Sequence, residues 1–424
     1  MTLTDRGATS QPVDGEVWPA VTTAPQAPLA GAVAGAIFRR AVRRVPVRVT
    51  LPDGRQIGAG DAGTPEMVVR HPGDLYARLG ADLRIGFGEA YMAGDWAPGP
   101  GTDLADLLTP FAARLTRLVP KPLQHLRGLV DQRLPSHEAN TVEGARDNIS
   151  RHYDLSNDLF AAFLDPTMTY SAGWFADLDS PDPRNLEAAQ LHKIDGILDY
   201  AGVTDGTRVL EIGTGWGALA IRAARRGAHV TSVTISSEQR DLAQQRIADA
   251  GVSDSVDVRL QDYREVEGRF DAVVSVEMIE AVGEEFWPTY FTMLDRVLAP
   301  GGRVGLQAIT MDHDRMLATR RSYGWIQKYI FPGGLIPSLQ AINDHLDRYT
   351  RLTVVEQREL GRHYAETLHH WRDRFLANWP HISGLGFDDT FRRLWEFYLA
   401  YCEAGFRTGY LKVRQLSIAP RPAS

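Results

Sequence analysis

The feature that most constrains this chain is a glycine-rich turn between an apolar strand and an apolar helix. The stretch VLEIGTGWGALA, residues 209–220, passes from a strand-like run into Gly213, Gly215 and Gly217 and then into an Ala-rich helical pattern. Turns of this kind open a helix at the carboxyl end of a parallel strand and hold a ligand there. A tight turn that binds nothing is the alternative.

Strand and helix patterns alternate throughout the second part of the chain. The strand-like runs RVLEIGT, HVTSVTIS, VDVRLQDY, FDAVVSVEMIE and RVGLQAIT are separated by helical stretches such as SEQRDLAQQRIADAG. A series of this kind builds a mostly parallel sheet that is covered by helices. The sequence therefore predicts a Rossmann-like α/β domain over residues 136–424, in which LAPGGRV is a helix end, a turn and a strand start.

The first third of the chain has a different pattern and predicts a separate small domain. We expect a flexible tail over residues 1–26, then a small α+β domain with a Pro-bearing connector over residues 27–135. Residues 29–50 of that domain are apolar at first and then basic, with Arg39, Arg40, Arg43, Arg44 and Arg48. On a helix, this pattern suits either contact with an anionic membrane surface or ordinary packing with the arginines in water.

Composition gives no support for a nucleic-acid-binding, disulfide-bonded, membrane-spanning or secreted protein. The formal net charge of −7 gives no general attraction for nucleic acid, and Cys402 is the only cysteine, so no internal disulfide can form. No apolar run reaches the roughly 18–20 residues that span a bilayer, and the first residues lack the order of a signal peptide. We therefore expect a cytoplasmic protein, and we find no cluster of His and carboxylates at metal-ligand spacing.

The carboxylate that precedes the glycines indicates the ligand. Glu211 would repel the phosphates of a dinucleotide, but it suits the cationic and amino groups of S-adenosylmethionine. Asp262, in LQDY, is placed to accept a hydrogen bond from an adenine amino group. The strand HVTSVTIS ends without an acid for the ribose hydroxyls, and Thr234, Ser236 and Gln239 are the nearby polar candidates. The pattern thus predicts a class I S-adenosylmethionine-dependent methyltransferase.

Seven motifs in order make the chain resemble the cyclopropane-fatty-acid synthase family. They are NISRHYDLSNDLFAAFLDPTMTYSAGWF, VLEIGTGWG, VTISSEQ, SVEMIEAVG, WIQKYIFPGG, HYAETLHHW and YCEAGFRTGYL. The resemblance is strong over residues 140–424, and within the family the chain looks most like the actinobacterial tuberculostearic-acid methyltransferases. It implies methyl transfer from S-adenosylmethionine to the double bond of a phospholipid acyl chain, with oleoyl to 10-methylene-stearoyl as the expected reaction.

Other activities stay open at this point. Closure of a cyclopropane ring is the first alternative, methylation of a small soluble acceptor at O or N is the second, and a lipid-binding protein with an inactive methyltransferase fold is the third. The resemblance also implies attachment to the inner face of the membrane and a separate reductase that would complete the methyl branch. Homo-oligomerisation stays open, and no nucleic acid partner is expected.

The resemblance further implies the residues of the cofactor site. Tyr170 and Ser171 should close over S-adenosylmethionine, although core packing and a turn hydrogen bond are the respective alternatives for these two residues. The other expected contacts are Val209, Leu210, Glu211, Ile212, Gly213, Thr214, Gly215, Trp216, Gly217, Thr234, Ile235, Ser236, Ser237, Glu238, Gln239, Asp262 and Tyr263.

The proton acceptor, too, is implied by the resemblance. A bound bicarbonate ion is expected to take a proton from the methylated chain, and Glu280 and Tyr364 are expected to hold that ion. Gln307 stands where the family has a histidine, and Ala172 stands where the family has a cysteine that acts through its backbone N–H. Cys402 is either a thiolate near the site or a buried, inert thiol, and the second interpretation is favoured.

The methyltransferase domain is also expected to contain insertions that bind the acyl chain. The run WIQKYIFPGGLIPSL, residues 325–339, concentrates aromatic and aliphatic side chains around Lys328. It is either a core helix that enters a turn or part of the wall of an acyl channel.

Overall fold

The computed structural model describes residues 13–114, 156–179 and 182–422. Contacts between Cα atoms divide the chain into two compact units. The first unit comprises Met1–Lys121 and Phe375–Tyr401, and the second comprises Pro122–Arg374 and Cys402–Ser424. The predicted connector that ends near residue 135 and the first residues of the motif that begins NISRHYD lie outside the described residues.

The first unit is built on a small mixed sheet. Its strands are β1 (Arg48–Thr50), β2 (Gln56–Ile57), β3 (Glu66–Val69) and β4 (Trp96–Pro98). They lie in the order β2-β1-β3-β4, and β1 is parallel to β3 but antiparallel to β2. The helices of this part of the chain are α1 (Pro19–Thr22), α2 (Pro28–Val42), α3 (Pro72–Ala81), α4 (Gly86–Ala93) and α5 (Leu104–Ala112).

The segment over residues 13–26 differs from the flexible tail that the sequence predicts. Val21 is buried, and the carbonyl oxygens of Ala20 and Val21 accept hydrogen bonds from the buried guanidinium of Arg78 at 3.1 and 2.5 Å. A buried charge needs acceptors, so this arginine fixes the segment against the unit. The remainder of the predicted tail, residues 1–12, lies outside the described residues.

The second unit contains a seven-stranded, mostly parallel sheet. Its strands are β5 (Arg208–Ile212), β6 (His229–Thr234), β7 (Val256–Leu260), β8 (Phe270–Val276), β9 (Leu298–Thr310), β10 (Leu352–Glu359) and β11 (Lys412–Pro420). They lie in the order β10-β11-β9-β8-β5-β6-β7, and β11 is antiparallel to both of its neighbours. The predicted Rossmann-like α/β fold is thereby confirmed. The structure differs from the prediction in one detail. The segment LAPGG, predicted as a helix end and a turn, is already part of β9, in which Leu298 pairs with Phe270.

Helices cover this sheet and bury both of its faces. The helices of the second unit are α6 (Asn157–Phe163), α7 (Leu186–Tyr200), α8 (Ala218–Arg225), α9 (Ser237–Asp249), α10 (Trp287–Val297), α11 (His313–Thr319), α12 (Trp325–Tyr329), α13 (Leu339–Tyr349) and α14 (Gly361–Ala377), whose last residues belong to the first unit. Of the two helices that follow, α15 (Trp379–Gly384) lies in the first unit, and α16 (Asp389–Arg407) belongs to it up to Tyr401. Val209 of β5 packs in one apolar cluster with Ile197, whereas Leu210 packs in another with Phe291. The central strands therefore have no face turned to water.

Residues 375–401 belong to the first unit, although the sequence analysis placed them in the methyltransferase domain. Arg393 of α16 donates a hydrogen bond to the carbonyl of Met92 at 2.7 Å. The ring of Phe397 lies 6.2 Å from that of Trp96, which stacks on Phe87 at 4.6 Å. Helical periodicity reveals that such a segment has a buried face, but it does not reveal what that face packs against.

Candidate active site

The candidate site is a pocket at the carboxyl ends of the central strands of the second unit. The chain leaves β5 towards β6 on one side, and β8 lies on the other side, so the strand order reverses at β5. Reversals of this kind leave a crevice that binds ligands in open α/β sheets. Residues that follow β5, β6, β7 and β8 line the pocket, together with residues of α7 and of the segment around Tyr170.

The glycine-rich turn forms the floor of this pocket. Gly213, Gly215 and Gly217 have φ angles of +91°, +51° and +87°, which L side chains rarely adopt. A Cβ atom on Gly213 would lie 2.7 Å from Met278 Cγ, whereas one on Gly215 would have no described atom within 4 Å. Gly217 is the N-cap of α8. The turn therefore keeps the space above Gly215 open.

Glu211 is a buried carboxylate at the end of β5. The hydroxyl of Ser232 donates to its Oε2 at 2.6 Å, and that same hydroxyl lies 2.7 Å from the hydroxyl of Thr214. Burial raises the pKa of Glu211 to about 8, although the Ser232 hydrogen bond and the charge of Lys193 oppose this shift. A cationic ligand in the pocket would stabilise the ionised carboxylate.

Lys193 of α7 is a buried cation that the sequence analysis did not identify. Its Nζ donates to Ser171 Oγ at 2.6 Å, and the neighbouring Gln190 donates to the carbonyl of Ser171 at 2.9 Å. Burial lowers the pKa of Lys193 to about 8, against the opposing charges of Glu277, Asp165 and Glu211. These bonds hold the segment of Ser171 against α7 and place a cation beside the pocket.

The polar residues on the other side of the pocket are bonded to one another. Thr234 donates to Gln239 Oε1 at 3.0 Å, and both residues line the pocket. The carboxylate of Asp262 accepts two bonds from the Arg264 guanidinium at 2.7 and 2.9 Å. An ionised carboxylate can accept further hydrogen bonds, so this pairing leaves Asp262 able to meet an adenine amino group.

A second carboxylate, Glu277, collects hydrogen bonds from three distant segments. Its Oε1 accepts from the backbone N–H of Ala172 at 3.0 Å and from Gln307 Nε2 at 2.8 Å. The hydroxyl of Tyr364 also bonds to this carboxylate. Gln415 donates to Gln307 Oε1 at 3.0 Å, which orients the amide of Gln307 towards Glu277. Burial raises the pKa of Glu277, and the three donors and Lys193 oppose that shift.

Glu280 and Tyr364, which the resemblance expects to hold a bicarbonate ion together, make different contacts in this structure. Glu280 lies in a single 3-10 turn, Ile279–Ala281. Its Oε1 accepts from the backbone N–H of Ile309, and its Oε2 makes no hydrogen bond within the described residues. Burial, with the nearby charge of Glu277, raises the pKa of Glu280 to about 8. Tyr364 and Gln307 are bonded to Glu277 instead, three residues earlier.

Cys402 lies on α16, close enough to Tyr364 to affect its ionisation. Burial raises the pKa of the Cys402 thiol to about 12. At neutral pH the group is therefore protonated, and a thiol is a much weaker nucleophile and base than a thiolate.

The structure brings most of the predicted cofactor residues together. Those that line the pocket are Tyr170, Ser171, Glu211, Ile212, Gly213, Thr214, Gly215, Trp216, Thr234, Ile235, Gln239, Asp262 and Tyr263. Val209 and Leu210 are core residues, Gly217 and Ser236 cap helices, and Ser237 and Glu238 are exposed on α9. These six predicted contacts do not line the pocket. Val209 and Leu210 precede the carboxyl end of β5 and pack on opposite faces of the sheet, and Ser237 and Glu238 lie on the outer side of α9.

One group at metal-ligand spacing, which the sequence analysis did not find, occurs in the described part of the first unit. It consists of His71, Asp74 and Asp95. Asp95 accepts a hydrogen bond from the buried Arg78 at 3.1 Å, so this carboxylate already has a cationic partner. Asp95 therefore has an internal role in holding Arg78, which binds the segment of Ala20 and Val21.

Two observations indicate that S-adenosylmethionine fits the pocket. Gly215 keeps a space that a Cβ atom would enter, and the buried carboxylate of Glu211 suits a cationic and amino-bearing end. Together with the strand order, these features define the second unit as a class I S-adenosylmethionine-dependent methyltransferase. No helix in the described ranges is long and apolar enough to cross a membrane.

Comparisons with known proteins narrow this class. The family model described as mycolic acid cyclopropane synthetase matches residues 141–416. The tuberculostearic acid methyltransferase UfaA1 of Mycobacterium tuberculosis is 50% identical over 424 residues, which is 99% of each chain. The cyclopropane-fatty-acyl-phospholipid synthase of Escherichia coli K12 is 34% identical over 85% of this chain and 89% of its own.

A solved structure agrees with these matches. The crystal structure of mycolic acid cyclopropane synthase CmaA1 complexed with SAH and CTAB has a TM-score of 0.58 and 31% identity over 64% of this chain and 97% of its own. The chain belongs to the mycolic acid cyclopropane synthetase family. It is a S-adenosylmethionine-dependent fatty acid methyltransferase of this family.

Proposed function

We propose that this protein methylates the double bond of an oleoyl chain in a phospholipid and forms a 10-methylene-stearoyl chain. The 50% identity to a tuberculostearic acid methyltransferase over the whole chain carries the proposal. The site supports it because a pocket suited to a cationic ligand contains a partly buried carboxylate, Glu277, that can accept a proton.

Tyr170 lines the pocket, and a cluster of aromatic side chains packs around it. The ring of Tyr170 lies 5.1 Å from that of Trp371 and 5.2 Å from that of Phe160. The ring of Tyr364, which bonds to Glu277, lies 6.0 Å from Trp371 and 4.6 Å from Phe406. Aromatic faces stabilise a cation and exclude water that would quench it, so this aromatic cluster suits a carbocation on the acyl chain.

The proposed reaction can be described by the movement of electron pairs. S-adenosylmethionine supplies an electrophilic methyl group when it is bound. The π electrons of the alkene form the new bond from carbon 10 of the chain to this methyl group, while the carbon–sulfur bond breaks and its electron pair stays on sulfur as S-adenosylhomocysteine leaves. Positive charge is then left at carbon 9. A hydride shift from carbon 10 to carbon 9 then places the charge beside the methyl group. Loss of a methyl proton forms the exocyclic double bond, and loss of this proton without the shift closes a cyclopropane.

A bicarbonate ion as the proton acceptor remains a prediction from the resemblance. The groups that would hold it, namely the Ala172 N–H, Gln307 and Tyr364, are bonded to the carboxylate of Glu277 in this structure. An added anion would also lie against a like charge, which is unfavourable. The residues present therefore do not fit a further anion at this position, and we derive no step through it.

The lipid substrate also requires contact with a membrane surface, which we assign to α2. Gly31, Gly35, Phe38 and Val42 form its buried face. The opposite face exposes Leu29, Val33, Ile37 and Arg40, spaced three or four residues apart, and the exposed Arg44 follows the end of the helix. Apolar side chains followed by arginines on one exposed face suit the boundary between acyl chains and anionic headgroups. This surface supports peripheral attachment to the inner face of the membrane.

Lipid analysis after expression tests the proposed function. The host should make oleate and lack its own cyclopropane synthase, and its fatty acid methyl esters are resolved by gas chromatography. We expect the methyl ester of 10-methylene-octadecanoate, and none with the Gly215→Val variant. A cyclopropane as the main product would contradict the product assignment, and unchanged fatty acids would contradict the function. Reduction to a 10-methyl branch would need a separate reductase.

A further inference from the structure

Glu277 has a backbone conformation that costs free energy. It follows β8 directly and has a φ of +51°, in the left-handed region that favours glycine. Within the described residues, Ser156 and Met168 are the other non-glycine residues with positive φ. Strained residues persist where surrounding contacts hold them, and they concentrate at functional sites. The hydrogen bonds of the Glu277 side chain identify the contacts that hold this strain.

The three donors to Glu277 come from parts of the chain that lie far apart in the sequence. The Ala172 N–H precedes α7, Gln307 is on β9 beside β8, and Tyr364 is on α14. Each of these groups offers a hydrogen, and none requires the carboxylate to be protonated. The arrangement therefore favours the ionised form of Glu277 in a partly buried position where the charge would otherwise be costly.

The carboxylate of Glu277 also faces the place where the chemistry would occur. Glu277 lines the same pocket as Glu211, Gly215 and Tyr170. Its bond to the hydroxyl of Tyr364 connects it to the aromatic cluster that contains Trp371 and Tyr170. A base must lie within hydrogen-bond reach of the carbon that loses its proton, so the inference requires the methylated part of the acyl chain to lie against Glu277 in this pocket.

We propose that the side-chain carboxylate of Glu277 is the general base that removes the proton from the methylated acyl chain. This inference rests on the proposed function. A C–H bond of the transferred methyl group breaks, its electron pair forms the new carbon–carbon bond at the cationic carbon, and the proton moves to a carboxylate oxygen of Glu277. The positive charge on the chain and the negative charge on Glu277 are neutralised together, and the proton leaves to solvent before the next turnover.

Gln307 and Tyr364 are then positioning residues. Their hydrogen bonds hold the carboxylate in one orientation and remain available when it becomes neutral, because a protonated carboxyl group still accepts on its other oxygen. The raised pKa of Glu277 is consistent with this role, since a stronger base takes a proton more readily. No bicarbonate is needed in this scheme, which separates it from the acceptor that the resemblance implies.

The test combines bicarbonate depletion with two substitutions. Purified full-length protein is assayed with vesicles of oleoyl phosphatidylglycerol in buffer freed of carbon dioxide, and methylated acyl chains are measured. We expect the wild-type rate to be unchanged by depletion. Glu277→Gln should lose roughly 100-fold or more of its turnover while it still binds S-adenosylmethionine, because general-base catalysis contributes about 10²–10⁴-fold. Glu285→Gln, at an exposed glutamate, is the matched control.

The second substitution, Glu277→Gly, relieves the backbone strain and leaves room for an external anion. Added formate or bicarbonate should restore part of the turnover of Glu277→Gly but not that of Glu277→Gln. A wild-type enzyme that methylates the lipid only with bicarbonate, or a Glu277→Gln variant with normal turnover, would overturn the inference and leave the proposed function intact. Failure of the wild-type protein to methylate the lipid under any condition would overturn both.

Discussion

The cofactor side and the proton-acceptor side of the site stabilise opposite charges by different means. The cofactor side uses backbone conformations of the glycine turn and one carboxylate, Glu211, which contacts the hydroxyl of Ser232. The acceptor side uses side-chain and backbone donors that converge on Glu277. Damage to the first side should therefore weaken binding, whereas damage to the second should slow turnover and leave binding intact.

The largest effect on cofactor binding is expected from Gly215→Val. The side chain would enter the space above the turn from a residue with φ of +51°, so it adds steric conflict with the ligand to backbone strain. We expect the Kd for S-adenosylmethionine to rise about 100-fold, since overpacking costs about 1–3 kcal/mol and each 1.4 kcal/mol is tenfold. Isothermal titration calorimetry measures this change.

The control for this prediction is Gly251→Val. Gly251 has a φ of +69° and likewise no described atom within 4 Å of its Cβ position, but it does not line the pocket. The Gly251→Val variant therefore measures the effect of backbone strain without steric conflict in the pocket. Equal affinities for Gly215→Val and Gly251→Val would show that the turn does not hold the cofactor.

Tyr364→Phe tests the proton-acceptor side of the site, where turnover should change and cofactor binding should not. The substitution removes the hydroxyl that bonds to Glu277 and keeps the ring against Trp371 and Phe406. A hydrogen bond to a charged group contributes about 1.5–3 kcal/mol, so kcat should fall roughly 10- to 100-fold. The Kd for S-adenosylmethionine should stay within about twofold. Tyr401→Phe, at an exposed tyrosine, should change neither quantity. A loss of binding without a loss of kcat would contradict the separation of the two sides.

These two sides also differ in how far the sequence predicted them. The glycine turn and Glu211 lie within one short stretch, so local spacing was enough to place them. The Glu277 cluster combines Ala172, Gln307 and Tyr364 with a residue after β8, and only the folded sheet brings them together. One signal was available, because Glu277 follows a central strand where a ligand crevice opens. Motif matching selected Glu280 instead.

The fold, like the site, could be predicted from local sequence only in part. The alternation of strands and helices was enough to predict the parallel sheet, since each element has its own periodicity. The segments around Val21 and Phe397 were assigned differently, because their place depends on partners such as Arg78 and Trp96 that are distant in sequence. Local pattern identifies an element, and tertiary contacts decide where it belongs.

A smaller effect is expected at the membrane surface. Arg40→Gln should weaken binding of the protein to anionic vesicles about fivefold, because a basic residue near such a surface contributes about 1 kcal/mol. Val33→Asp, on the same exposed face of α2, should weaken it as well. Vesicle sedimentation at two salt concentrations measures both changes, with neutral phosphatidylcholine vesicles as the control. Unchanged sedimentation would make α2 an ordinary packing helix.

The smallest effect is expected at Cys402. Because burial raises the pKa of its thiol to about 12, the reactive thiolate is scarce below pH 9. Iodoacetamide should leave the native protein unmodified at pH 8 and should modify it fully after denaturation, as mass spectrometry can show. Cys402→Ser should retain most of the activity. Rapid alkylation with loss of turnover would instead support a catalytic thiolate.

The central claim is that methyl delivery on one side of the site is followed by removal of a methyl proton on the other. The most direct measurement uses S-adenosylmethionine with a trideuterated methyl group, oleoyl phosphatidylglycerol vesicles and mass spectrometry of the isolated fatty acid esters. The account predicts a 10-methylene ester that retains two of the three deuterium atoms, both on the exocyclic carbon. A product that retains all three, or a lipid without label, would contradict it.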